Sequence, residues 1–225
     1  MCYSVSSSLR TTTISFIAII YLISSKIKKF KYLGAVLIGW CAMQFAEALL
    51  WMTNPYNCTF INKILTIILI PIVLALQPLG TVWGSLYLES WEKNKKFIIN
   101  YTIFIILFIF ISRYIIPFIF YKYKTCTTVT DNGHLNWFTY EYNYNNELPI
   151  TYIINTFIWA AIIFYPLIKF WPTKRLWPFY LIPLIGIFIG FYTDSPGSIW
   201  CYITSYGSIS AIILLFLYKN GYDFL

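Results

Sequence analysis

Long, unbroken apolar runs limit what this 225-residue chain can fold into more than any other feature. They cover about residues 11–25, 32–53, 63–88, 97–120, 150–170, 176–193 and 197–218. A helix crossing a bilayer needs about 20 such residues. A membrane β-barrel would alternate apolar and polar positions in segments of about ten. The stretch from Thr102 to Ile111 is continuously apolar instead. A helix satisfies its own backbone in lipid, so helices are expected. Seven spans use roughly 140 residues, which leaves no room for a separate soluble domain. The expected fold is all-α and polytopic: a seven-transmembrane-helix bundle, one domain over residues 1–225, with an extended loop at 121–149.

Charge supports the same class. Only 11% of residues are charged, against roughly 25% in soluble domains. That excludes an ordinary cytosolic globule and a disordered tail. A net charge of +8 would suggest nucleic acid in a soluble protein, but here the basic residues fall between apolar runs. Eleven lie in the loops at 26–31, 89–96 and 169–175 and at Lys219, and four (Arg10, Lys63, Lys122, Lys124) on the opposite side. The basic side belongs inside. The N-terminus is therefore expected outside and the C-terminus inside, with 121–149 an outer loop. Four lysines follow the first apolar run and Arg10 alone precedes it, so that run reads as a membrane helix and not a cleaved signal. Trp51, Trp91, Trp171, Trp177 and Trp200 fall near run ends, as interfacial anchors do.

The second run holds the most informative residues. Trp40, Gln44, Glu47 and Trp51 recur at helical spacing and share one face. A carboxylate inside a bilayer costs at least ~2.5 kcal/mol on insertion scales, so Glu47 must face protein or water. It is either an ion, proton or ligand site or a structural hydrogen-bond hub. Arg113 in the fourth run lies at a comparable depth, so a Glu47–Arg113 pair is permitted. Paired, Glu47 is a fixed anchor; otherwise it is a titrating gate, and Arg113 snorkels to the interface. Gln77-Pro78 in the third run marks a kink beside a polar side chain. Gly80 and Gly84, like Gly186 and Gly190, have the spacing that lets helices approach closely. In the last run Cys201, Ser205 and Ser208 share a face, a pattern that usually glues helices together. Asp194 reads as a turn and capping group.

Cys2, Cys58, Cys126 and Cys201 map to the outer side, and Cys41 lies within the second helix. Four cysteines allow three pairings; Cys58–Cys126 and Cys2–Cys201 are the expected ones. The alternative is a soft-metal site from Cys2, Cys201 and Glu47. Asn57-Cys58-Thr59 is a glycosylation sequon, in steric conflict with a tight disulfide at Cys58. No cofactor or metal is expected. His134 is the sole histidine, which is too few for a multi-histidine metal site. There is no nucleophile elbow or P-loop. Lys219 lies too near the end of the last run for a retinal Schiff base.

Four short motifs resemble an uncharacterised family of multi-pass membrane proteins from bacteria, algae and large DNA viruses. They are Met1-Cys2-Tyr3-Ser4, Gln44-Phe45-Ala46-Glu47-Ala48-Leu49-Leu50-Trp51, Leu88-Glu89 and Ser198-Ile199-Trp200-Cys201. That family opens with Met-Cys-Phe-Ser, carries Gln-Phe-x-Glu-Gly-x-x-Trp and closes with a Ser-x-Trp-Cys helix. Tyr3 and Ala48 depart from its pattern, and loop 121–149 is read as specific to this chain. The resemblance implies the multi-pass fold and highlights Cys2, Gln44, Glu47, Trp51, Trp200 and Cys201. It carries no activity.

The leading expectation is an ion or small-solute channel or transporter. Glu47 is its centre, Gln44, Trp40, Gln77 and Arg113 line the cavity, and Trp51 and Trp200 close the outer mouth. A seven-helix receptor or sensor reading an outer ligand through loop 121–149 is the second. A membrane enzyme with Cys2 or Cys201 as nucleophile and Glu47 as acid/base is the third. The expected partners are the lipid bilayer and an ion or small solute, with no nucleic acid; a homo-oligomer is compatible with the sequence.

Overall fold

Polar residues, not apolar ones, open the first helix. The Ser4 hydroxyl accepts the Ser7 N–H at 3.2 Å and caps α1, Val5–Ile23. Thr11, Thr12 and Thr13 then turn their hydroxyls back onto the carbonyls of Ser8, Ser8 and Leu9 at 2.9, 2.7 and 2.9 Å. Local back-bonding of this kind lets hydroxyl residues sit in a helix without an outside partner. The helix therefore starts six residues before the apolar run at 11–25.

The computed structural model describes residues 4–120, 124–137, 150–170, 185–186 and 196–221, without the side chains of 120, 150–153 and 196–205. The chain is mostly helical. Five more rods follow: α2 Lys28–Met52, α3 Phe60–Tyr87, α4 Trp91–Ile119, α5 Ile150–Phe170 and α6 Pro196–Lys219. The first four are long and apolar enough to cross a membrane, which marks a membrane protein. The apolar run at 176–193 lies outside the described residues except at 185–186, as do Gly190 and Asp194.

The central helix is α2, packed against α1, α3 and α6. Small residues set the α2–α3 distance. A Cβ on Gly39 would lie 2.2 Å from the Leu76 carbonyl oxygen, and one on Gly80 would lie 2.6 Å from that of Ala35. The two backbones touch there, so the Gly80-xxx-Gly84 spacing does serve close packing. On the other side of α2, Ser208 of α6 donates to Ser15 of α1 at 3.1 Å and lies 3.3 Å from the Cys41 sulfur. This buried chain of hydroxyls and thiol stitches three helices together.

Proline shapes α3, α4 and α5. A proline has no N–H to give the carbonyl four residues earlier. In α3 Pro71 leaves the Ile67 carbonyl without that partner, and in α5 Pro166 does the same to Ile162. Both gaps are closed from α4: the Tyr114 hydroxyl donates to Ile67 O, and the Tyr101 hydroxyl donates to Ile162 O at 3.1 Å. Two π-helical segments, Leu65–Leu69 and Ile111–Ile115, each precede an Ile-Pro pair, Ile70-Pro71 and Ile116-Pro117. The helix widens where the ordinary bond cannot form. Tyr101→Phe and Tyr114→Phe should each cost about 1–2 kcal/mol, because each leaves a partly buried carbonyl without its side-chain donor. The sites are far enough apart for the costs to add, and thermal unfolding of the single and double variants in detergent measures this.

The rods' ends are tied as well. At one end Lys219 lies over Tyr21, Phe30 against Tyr218, Lys31 over Tyr87, and Lys169 over Phe97. At the opposite end lies the Cys58–Cys126 disulfide, as expected from the sequence.

Candidate functional site

Residues 124–137 fold onto the bundle end and reach inward. Three ties fix them. The Cys58–Cys126 disulfide spans a Cα–Cα distance of 5.6 Å. Asn62, near the start of α3, uses its side-chain amide as a strand neighbour would. Its Nδ2 donates to Thr127 O at 3.1 Å, and its Oδ1 accepts the Thr127 N–H at 2.9 Å. Thr66, one turn on, places its hydroxyl 2.7 Å from that of Thr127. Asn62, Thr66 and Thr127 are all fully buried, so each polar group is satisfied by another instead of by water.

A short hairpin follows, pairing Thr128 with Asn136 and Val129 with Leu135. It turns through Asp131, Asn132 and Gly133, where Gly133 takes a φ of 75° that suits glycine. Thr130 closes the turn by accepting the His134 N–H at 3.2 Å. The imidazole of His134 is buried, and that burial holds its pKa below the ordinary histidine value of 6.5. As pH falls below about 6.5, an unfolded loop takes up the proton first. The stability contributed by neutral His134 is complete above that pH and is lost on acidification through the lower folded value. The thermal midpoint should therefore fall between pH 7 and pH 5, and His134→Gln should flatten that dependence.

The hairpin delivers Trp137 into the bundle, where it is 3% exposed. Its indole N–H donates to Oε1 of Glu47 at 3.3 Å. Its carbonyl accepts Nη2 of Arg113 at 2.7 Å, and the guanidinium carbon lies 5.8 Å from the centroid of its ring. Glu47 is fully buried and Arg113 nearly so. One loop residue thus contacts both intramembrane charges. Trp137 thereby touches both members of the Glu47–Arg113 pair that the sequence permits. Arg113 belongs to the π-helical segment Ile111–Ile115, where the wider turn re-aims side chains. A buried carboxylate can hold a cation and a guanidinium an anion.

The other expected residues are placed as follows. Trp40 and Gln44 are buried on the Glu47 face of α2, and Trp51 is half-buried at its end. Gln77 is fully buried beside the Gly39 crossing, and among the described residues neither polar atom of its amide has a hydrogen-bond partner. Asn57 is exposed in the turn before the disulfide. Cys2 and the side chains of Trp200 and Cys201 lie outside the described residues, so the Cys2–Cys201 pairing does too. Among the described residues, no group of three or more His, Cys, Asp or Glu could hold a metal. Sequence reading passed over Asn62, Thr66, Thr127 and the role of Trp137. The Asn62/Thr66 spacing of one helical turn is the single local signal for any of them.

Compared with protein-family models, curated proteins and solved structures, the chain matches none. The motif resemblance therefore has no family match behind it.

Gln77 offers a stability test of that geometry. With no partner among the described residues, its buried amide costs about 1–3 kcal/mol in the folded state. Gln77→Leu should raise the thermal midpoint in detergent. If the midpoint falls instead, the amide has a structural partner in solution.

Proposed function

We propose that the chain is a seven-helix integral membrane protein that carries an ion or small solute through its bundle, with Glu47 as the charged binding group. The N-terminus lies outside and the C-terminus inside. The eleven basic residues on one side support this orientation, as does the disulfide at the opposite end, where an oxidising compartment would favour it. Residues 124–137 act as a plug whose innermost residue, Trp137, covers the site.

One observation carries the reading: a fully buried carboxylate within a membrane helix is contacted by a loop residue. Intramembrane charges mark functional sites by default, substrate and ion pathways among them. A contact from a loop can be withdrawn without dismantling the helices. Gln44 and Trp40 flank Glu47 on the same face, and Gln77 supplies a second polar group deeper along α3. The test is flux into liposomes reconstituted with the purified chain under ion and pH gradients. Flux above protein-free liposomes supports the reading; none under any gradient removes it.

The reach of the loop favours a second reading, a sensor. A ligand binding 124–137 from outside would alter the Trp137 contacts directly. Deleting 126–147 should then abolish ligand binding while the helices still fold. A deletion that spares every measurable activity defeats this reading.

A further inference from the structure

A groove of about 690 Å³ runs between α1 and α2, lined by Phe16, Ile23, Ser24, Ile38, Ala42 and Phe45 among others. Its α1 wall runs from Thr12 to Ser24, about 18 Å at 1.5 Å per residue. That length suits one acyl chain. The floor is low because Cys41 and Ala42 are small residues between Ile38 and Phe45.

The groove ends at Ser24, and the turn there is strongly basic. Lys26, Lys28 and Lys29 are all exposed, and Lys31 follows. Three of these lysines lie at the start of α2, where the helix dipole disfavours cations. That first turn contains no acidic residue, and Ile27 makes no side-chain cap bond to it. Lysines that merely snorkel would need neither the groove nor the uncapped helix end. The α1 wall of the slot thus ends at Ser24, two residues before Lys26 and the basic turn that leads into α2.

We propose that this groove binds one anionic phospholipid of the surrounding bilayer. Its acyl chain lies along Phe16, Ala42 and Phe45, and its phosphate sits at Ser24, Lys26 and Lys28. The inference depends on the membrane placement of α1 and α2 and not on transport, so its failure would leave the flux experiment unaffected.

The test uses the full chain in a neutral detergent. Its thermal midpoint is followed while phosphatidylglycerol or phosphatidylcholine with identical acyl chains is added. Phosphatidylglycerol should bind roughly 10- to 30-fold more tightly, the preference expected from two lysines near an anionic headgroup. Lys26→Gln/Lys28→Gln should lose that preference while retaining the weaker response common to both lipids. Ala42→Trp should lose the response to either lipid. Should Ala42→Trp fail to fold, the lysine variant decides alone, since its sites are exposed. Glycerol phosphate alone should give no shift. Equal responses to the two lipids would overturn the proposal. So would an unchanged preference in the lysine variant, or a shift by glycerol phosphate matching that of phosphatidylglycerol.

Discussion

Glu47→Gln should weaken the apparent affinity for transported solute in liposomes by about 10- to 150-fold, the value of one lost charge-assisted contact at about 1.5–3 kcal/mol. The substitution is informative because it is nearly isosteric. A glutamine oxygen still accepts the Trp137 indole N–H, so the plug keeps its anchor and the helices keep their packing. Only the charge is lost. The expected signature is a raised half-saturation concentration with an altered pH profile, at unchanged thermal stability. Glu47→Ala is a poorer probe: it also removes the acceptor and leaves the buried indole N–H unmatched. Unchanged flux in Glu47→Gln would end the assignment of Glu47 as the binding group, whatever else the chain does.

The second large effect is expected from Cys58→Ala/Cys126→Ala. The disulfide closes a 68-residue separation, for which the chain-entropy account gives about 4 kcal/mol. A bilayer already confines α3 and α4, so the loss in membranes should be smaller, about 2–3 kcal/mol on the same scale. It should fall mainly on residues 124–137, because Asn62 and Thr66 alone then hold Thr127. Protease cleavage within that segment should quicken, and in liposomes the resting flux should rise as Trp137 leaves Glu47 more often. If the double variant matches the wild type in both readouts, the Asn62 clamp suffices to seat the plug, and the disulfide is secondary.

Much of the helical framework was legible because lipid imposes a simple demand, continuous apolar surface over a fixed length. The ends were less so. Ser and Thr at the start of α1 satisfy themselves on the preceding turn, and the Trp91–Lys96 segment of α4 is helical but too polar to register as part of an apolar run. The Glu47 face was visible because its four residues sit at one helical spacing. The Cys58–Cys126 pair was visible because its two cysteines fall in the two outer loops. Trp137 was not visible: it comes from an irregular loop and meets a residue 90 positions away. The same holds for Tyr101 and Tyr114. Nothing near either tyrosine indicates that a proline in another helix has left a carbonyl waiting for it. Contacts of this kind depend on which helices are neighbours, and local pattern does not contain that.

Those two tyrosines also constrain how α4 can move. One hydroxyl pins it to α3 at Ile67 and the other to α5 at Ile162. Turning α4 about its own axis would break both pins at once, and so would sliding it by a turn. A motion that keeps them both must flex the rod between its fixed points. Arg113 stands next to one pin, in the π-helical segment where the rod yields most easily. A small bend there swings the guanidinium relative to the Trp137 carbonyl. Because that carbonyl is held by Arg113, a pull on residues 124–137 is transmitted first to this segment of α4, between the two tyrosine pins.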